Sequence, residues 1–375
     1  MIYLDYSANT PVDARVLEQF CAVERRCIGN ANSHHQAGSA AKAEIDAATI
    51  RIASLLGVQP AEIIYTSGAS EANNFALKGL ARLSRHAGRH IISTPLEHSS
   101  VSGTLTALQE QGYEIDLLDV KQDGTVDLEH LKDLLRPDTI CVAITLVDSE
   151  LGVVQPVQEI AAILKAYPHC HLHVDATQAV GKIPVSFEGV DTMSLTAHKF
   201  YGLNGIGLLI KRRNLALEPL IHGGESTTIY RSGTPTVALA SSLACALDFA
   251  VTDLPGRVDH VAKLNAELRA ALSTYPLVRI NSPDHAIPHV LNLSVRNVKG
   301  TVFQRELDAK GVCVSVKSAC SSDGLPSRAV FAVSRDRRNA LSSWRISLSH
   351  LTTEDEIKAF LQAFDVCCRE LTALH

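Results

Sequence analysis

Two side chains in the middle of the sequence invite a chemical reading. Asp175 closes the buried-type run His171-Leu172-His173-Val174, and Lys199 follows the run Ser194-Leu195-Thr196-Ala197-His198. An acid at the carboxyl end of a buried strand stands where α/β proteins place their ligands. A lysine after a second such strand, ahead of the glycine-rich turn Gly202-Leu203-Asn204-Gly205, suits a nucleophile. Upstream, Tyr65-Thr66-Ser67-Gly68-Ala69-Ser70-Glu71 runs from a strand through small residues into a helix that starts near Ala69. A helix start presents free N–H groups and a positive dipole end, which suits a phosphate. Alone, the same turn also fits an ordinary serine cap. Together, a phosphate cradle, a strand-end acid and an amine nucleophile are what pyridoxal phosphate requires. The amine holds it covalently, and the acid keeps the pyridine nitrogen protonated so that the ring draws electrons. His98, beside Glu97, could stack on such a ring and transfer protons near neutral pH. Most of the 16 histidines, His34-His35 included, read as structural.

The elements that must position these groups alternate along the chain. Candidate strands cover Glu62–Thr66, His90–Ser93, Glu114–Leu118, Ile140–Val147, His171–Val174, Val190–Leu195 and Ile206–Lys211. Several are nearly all apolar, as parallel strands buried on both faces are. Helical patterns lie near 39–56, 69–84, 99–111, 127–135 and 157–166. The alternation predicts an α/β fold with a mostly parallel sheet, antiparallel additions falling near 190–211. The Val237–Val251 stretch reads as an amphipathic helix because Ser241, Ser242 and Asp248 interrupt it. Beyond residue 255 the texture turns to α+β. A polar helix (257–274) is followed by strands at Val278–Ile280, His289–Val295, Val312–Val316 and Trp344–Leu348, with helices near 300–310 and 353–371. This predicts a second, smaller domain, with the cleft between the two as the site.

Composition excludes several classes. The 375 residues are 46% hydrophobic and 20% charged, the balance of a globular protein rather than a disordered one. Lys+Arg number 35 against 40 Asp+Glu, so the net charge of -5 offers no basic surface for nucleic acid. The apolar stretch Cys141–Val147 is too short to span a bilayer. Met1-Ile2-Tyr3-Leu4-Asp5-Tyr6 carries no signal-peptide core, so the expected location is cytoplasmic. Nine cysteines, an odd number, argue against a disulfide framework. No C-x-x-C pair occurs, and no metal site is expected. The motif G-x-G-x-x-G is absent after the first strand and no P-loop occurs, which disfavours dinucleotide and P-loop nucleotide binding.

At the level of whole motifs the sequence resembles the cysteine desulfurases of the NifS/IscS type. These belong to the class V aminotransferase family, within the fold-type I pyridoxal-phosphate enzymes. The resemblance covers almost the whole chain. It rests on Tyr3-Leu4-Asp5-Tyr6-Ser7-Ala8, Thr66-Ser67-Gly68-Ala69-Ser70-Glu71, Glu97-His98, Glu150-Leu151-Gly152, His173-Val174-Asp175-Ala176-Thr177-Gln178, His198-Lys199, Arg231-Ser232-Gly233-Thr234 and Ser318-Ala319-Cys320. It implies a seven-stranded, mostly parallel sheet in a large cofactor domain (15–255). A smaller α+β domain would form from residues 1–14 and 256–375 and carry the loop with Cys320.

The resemblance also implies roles. Lys199 would hold the cofactor, Asp175 would pair with its pyridine nitrogen, and Gln178 and Ser149 would face its ring hydroxyl. His98 would stack on the ring and assist proton transfer. Ala69, Ser70, Thr196 and His198 would bind the phosphate. Thr234 would reach the phosphate of a neighbouring subunit, which implies a homodimer. Arg345 would clamp the substrate carboxylate, a task suited to its planar fork. L-Cysteine would become L-alanine, with Cys320 taking the sulfur as a persulfide. A sulfur-acceptor protein, for iron–sulfur cluster assembly or thiolation, would then receive it. The small polar residues around Cys320 predict an exposed loop, and its length matches the IscS-like subgroup. Cys313, in an apolar strand, reads as packing.

The sequence departs from the family pattern in places. Asp148-Ser149 stands where the family usually has two asparagines, and serine has one donor where asparagine has two. Gly224-Glu225-Ser226-Thr227-Thr228 differs from the usual residues ahead of Arg231. Ser70 replaces a threonine and keeps the hydroxyl; Asn9 replaces another. Two other readings are a different lyase or aminotransferase of the same fold, such as a selenocysteine lyase, and a cofactor-binding scaffold without turnover.

Overall fold

The computed structural model describes residues 1–224, 226–317 and 325–373. The chain opens with a short strand, β1 (Ile2–Tyr3), then two helices, α1 (Ala14–Arg26) and α2 (Gln36–Leu56). An alternating stretch follows: β2 (Ile63–Thr66), α3 (Ala69–Leu83), β3 (His90–Ser93), α4 (Ser99–Gln109), β4 (Glu114–Leu117) and α5 (Leu128–Leu134). It continues through β5 (Thr139–Thr145), α6 (Val157–Leu164), β6 (His171–Asp175), β7 (Thr192–Thr196) and β8 (Gly207–Lys211). The C-terminal part holds α7 (Val237–Thr252), α8 (Leu254–Leu272), β9 (Val278–Ile280), β10 (Val290–Val295), α9 (Gly300–Ala309) and β11 (Val312–Cys313). It ends with α10 (Arg328–Ser334), α11 (Arg337–Ser342), β12 (Ser343–Ser347) and α12 (Glu354–Thr372).

Seven strands form one sheet in the order β2-β8-β7-β6-β5-β3-β4. Every neighbouring pair is parallel except the two that involve β8, which runs antiparallel to β2 and β7. The antiparallel addition therefore falls inside the expected 190–211 region. Side chains alternate between the sheet's two faces, as period-2 geometry requires. Ile63, Leu208 and Ile210 join a core with α2, α5, α6 and α7 on one face. Ile64 and Leu209 join α3 and α4 on the other. Both faces are thus covered, which is why β5 is buried at all seven positions. The carboxyl ends of β2, β7, β6, β5 and β3 line one edge, the place where such sheets bind ligands.

A second core gathers Leu4, Val261 and Leu264 from α8, Leu291 and Leu293 from β10, and the aromatic group Phe303, Trp344, Phe360 and Phe364. Phe303 and Trp344 stack with ring centroids 5.1 Å apart. Here a three-stranded sheet runs β12-β10-β9, and β1 pairs parallel with β11. The first residues of the chain therefore belong to the core built by its last third. β11 ends at Cys313, earlier than the expected Val316, because Ser315 turns away to bridge Arg345 of β12. α1 was not evident in the sequence because it buries only Val16 and Val23, too sparse a stripe for a helical period. Among the described residues, no single helix is long and apolar enough to cross a membrane.

Candidate active site

The carboxyl edge of the large sheet and the first turn of the second core enclose a cavity of about 330 Å³. Ten of the expected site residues line it: Ala69, Ser70, His98, Ser149, Asp175, Gln178, Thr196, His198, Lys199 and Arg345. Thr234 is exposed and outside this lining. Cys320 lies outside the described residues.

Asp175 ends β6 and is buried. Its Oδ2 accepts from Asn73 Nδ2 at 2.8 Å, and its Oδ1 accepts from the backbone N–H of Thr177 at 2.9 Å. Asn73, on α3, is fully buried and satisfied on every side. Its amide also donates to Ser100 Oγ at 2.9 Å, while its Oδ1 accepts from Ser194 Oγ and from His173 Nε2 at 3.0 Å. The Asn73 oxygen can only accept, so the His173 proton sits on Nε2, and its Nδ1 accepts from Thr192 Oγ1 at 2.9 Å. Burial pushes the His173 imidazole down to about 4, so it stays neutral at physiological pH. Among the described residues, the strand-end carboxylate is thus oriented by neutral donors.

Thr196 ends β7, and the turn 197–199 carries His198 and Lys199 into the cavity. Lys199 Nζ donates to the backbone oxygens of Ser7 (2.8 Å) and Ala8. His198 Nδ1 meets Thr196 Oγ1 at 3.1 Å. Burial first, then the nearby Lys199 and Lys182 cations, push His198 down to about 4. Opposite, α3 starts at Gly68, whose φ of 155° lies in a region open almost only to glycine. Gly207 lets β8 pass close by, since a Cβ there would stand 2.7 Å from Gly68 Cα. The first N–H groups of α3 have no helical carbonyl to bond, and Ala69, Ser70 and Glu71 of this turn line the cavity. Glu71 secures this start by accepting from Ser67 N–H at 2.7 Å and from Arg231 Nε at 3.0 Å.

His98 caps α4: its Nδ1 accepts from Ser100 N–H at 3.1 Å. That contact leaves the proton of the neutral ring on Nε2. Burial, opposed by Asp175 and reinforced by Lys199 and Arg328, holds the imidazole below its ordinary range.

Arg345 on β12 is 2% exposed. Its Nη1 donates to Ser149 O at 2.8 Å and its Nη2 pairs with Asp5 Oδ1 at 2.9 Å. Asp5 Oδ2 accepts from Ser315 Oγ at 2.7 Å. The turn bearing Ser149 is shaped by Asp148, whose Oδ2 accepts from the N–H of Glu150 and of Leu151. Burial pushes the Asp148 carboxyl up to about 7 and Glu97, behind His98, to about 8.

Sequence reading missed Asn73, Asp5 and Lys182. Asn73 carries one legible signal: it lies one helical turn beyond Ala69, on the face of α3 turned to the sheet. Asp5 and Lys182 meet their partners only through the fold. Among the described residues no cluster of His, Cys, Asp and Glu could hold a metal. The donors present do fit a phosphorylated pyridine aldehyde. A helix start with hydroxyls suits its phosphate, a buried carboxylate its ring nitrogen, and a lysine amine its carbonyl.

The family described as Aminotransferase class-V matches residues 2–360, and the chain belongs to it. Within that family, cysteine desulfurase IscS of Proteus mirabilis is 40% identical over 95% of this chain and 90% of its own. A solved NifS-like protein superposes with a TM-score of 0.92 at 35% identity, covering all of both chains. A structure described as SspA in complex with cysteine superposes with a TM-score of 0.83 at 30% identity, over 94% of this chain and 100% of the other.

Proposed function

We propose that the chain is a pyridoxal-phosphate-dependent cysteine desulfurase that converts L-cysteine to L-alanine and carries the released sulfur on Cys320. One observation carries the reading: Asp175, Lys199, the start of α3 and Arg345 share one cavity. Bound there, the cofactor would supply an electron sink for bonds at the substrate's Cα. Lys199 Nζ would hold its carbonyl carbon and move the Cα proton. Asp175 would keep a proton on the ring nitrogen. Ala69, Ser70, Thr196 and His198 would hold the phosphate, with Gln178 and Ser149 toward the ring oxygen. His98 would lie against the ring and pass protons through Nε2. Arg345, with donors beyond those given to Ser149 and Asp5, would bind the substrate carboxylate. The Cys320 thiolate would attack the substrate sulfur, the Cβ–S bond would break, and Cys320 would keep that sulfur as a persulfide.

The exposed Thr234 supports a homodimer in which it reaches the partner's phosphate site. We read 15–255 as the cofactor domain, and residues 1–14 with 256–375 as the smaller one. The persulfide would pass to an iron–sulfur scaffold or thiolation protein in the cytoplasm.

Sulfide release from L-cysteine with a reductant tests this, comparing the protein with Cys320→Ala. Release by the parent and none by the variant is expected, both proteins being yellow. Selenide release from selenocysteine without sulfide release from cysteine would favour a selenocysteine lyase. A yellow protein that turns over neither substrate would favour a scaffold.

A further inference from the structure

A second lysine lies buried behind the site. Lys182 is 6% exposed, and its Nζ donates to Gln178 Oε1 at 2.9 Å. The turn after β6 brings the two together, because Ala179 O accepts from the N–H of both Lys182 and Ile183 and folds the chain back. No carboxylate lies within ion-pair distance of Lys182 among the described residues. The charged or titratable groups that act on it or feel it are Lys199, Arg345, His198 and His289. None of them is an acid. Burial, and then Lys199 and Arg345, push the Lys182 ammonium down to about 7.

We propose that Lys182 is a positioning residue for the cofactor: by donating to Oε1, its ammonium makes the Gln178 side chain present its NH₂ end to the cavity. This rests on the cofactor reading above. The two ends of an amide are alike in shape and opposite in hydrogen bonding, so a glutamine facing a cavity can present either. Two contacts remove the choice. Ser7 O can only accept, and it takes a proton from Gln178 Nε2 at 2.9 Å. While protonated, Lys182 can only donate, and it donates to Oε1. Turning the amide over would set oxygen against oxygen and NH₂ against ammonium, losing both bonds at once. Nε2 then keeps its second N–H for a ring oxygen.

The test is the pH dependence of the visible absorbance of the holoenzyme, without substrate. Donation to the ring oxygen favours its deprotonated form, so losing the donor raises the pH of the colour change. Lys182→Met is expected to raise that pH by about one unit or more and to speed cofactor loss on dilution. Lys182→Arg, still a donor only, is expected to restore much of both. In a Gln178→Leu background, adding Lys182→Met is expected to move the titration little. An unchanged titration in a Lys182→Met protein that merely melts lower would overturn the proposal. So would an equal shift with and without Gln178, since the charge would then act without the amide. If Lys182→Met does not fold, Lys182→Gln carries the test, because it keeps a polar head but leaves the amide free to turn. A parent protein that takes up no pyridoxal phosphate and stays colourless overturns the cofactor reading itself, and this inference with it.

Discussion

The two walls of the cavity are built differently. The wall formed by β6, β7 and α3 is a closed network: Asp175, Asn73, His173, Ser194 and Thr192 each meet a partner, and the histidine is neutral. The opposite wall, formed by the 148–151 turn, Asp5 and β12, keeps buried atoms without protein partners among the described residues: Asp148 Oδ1 and Arg345 Nε. A saturated network fixes a charge and a geometry, as an electron-drawing ring requires. A wall with open hydrogen-bonding capacity is one that a substrate can complete. Buried polar groups are ordinarily paired, so Arg345 Nε, like Thr177 Oγ1 and Ser7 Oγ elsewhere in the lining, is an atom that a bound molecule could complete.

Substitutions can break or sharpen this contrast. The largest expected effect is at the nucleophile: Lys199→Ala takes sulfide release to background, and borohydride treatment no longer fixes the cofactor to the chain. Asp175→Asn follows. Removing one partner of a buried charge pair, here the pair Asp175 would form with the protonated ring nitrogen, costs about 3–5 kcal/mol, so kcat is expected to fall by about two to four powers of ten, with KM little changed. On the open wall the pattern should invert. Arg345→Lys loses the planar fork and about 1.5–3 kcal/mol of charged hydrogen bonding, so KM for cysteine rises about 10- to 100-fold while kcat moves less. A rise confined to kcat would break the contrast.

Smaller effects concern stability. Asn73→Ala strands His173 Nε2, Ser194 Oγ and Asp175 Oδ2 in a dry interior, and a loss of about 2–4 kcal/mol in denaturant unfolding is expected. The smallest effect is a pH slope from two buried carboxyls beside the cavity. Asp148 is raised from 3.8 to about 7 and Glu97 from 4.5 to about 8 by burial, so the folded chain holds protons that the unfolded chain releases. Their contribution is fully present below pH 4 and is lost as pH rises through 7 to 8. The melting temperature should therefore decline between about pH 4 and pH 8. Asp148→Asn, an amide that cannot ionise, should flatten that decline, and a slope unchanged in this variant would count against the assignment.

Much of this was legible in the chain itself. The apolar runs ending in Asp175 and Thr196 predicted a parallel sheet, and seven strands follow the expected pattern with boundaries off by one or two residues. Strand ends announce site residues because an acid or a lysine has no place inside such a run. Lys182 and Asp5 were given no role, because their partners, Gln178 with the cavity beyond it and Arg345, are brought to them by the fold.

Composition and periodicity by themselves determined the layered α/β sheet, the helix start at Ala69 and the positions of Asp175 and Lys199 at strand ends, because those depend on residues near one another in the chain. The family resemblance implied that the first residues join the last third; only the tertiary structure decided that Asp5 and Arg345 meet there across most of the sequence. Only the tertiary structure decided which amide end Gln178 presents, and that Ser149 serves Arg345 through its carbonyl. The reason is physical. Secondary structure follows from steric and burial patterns a few residues long, whereas the partner of a buried polar atom is set by which distant segment packs there and what it leaves unsatisfied.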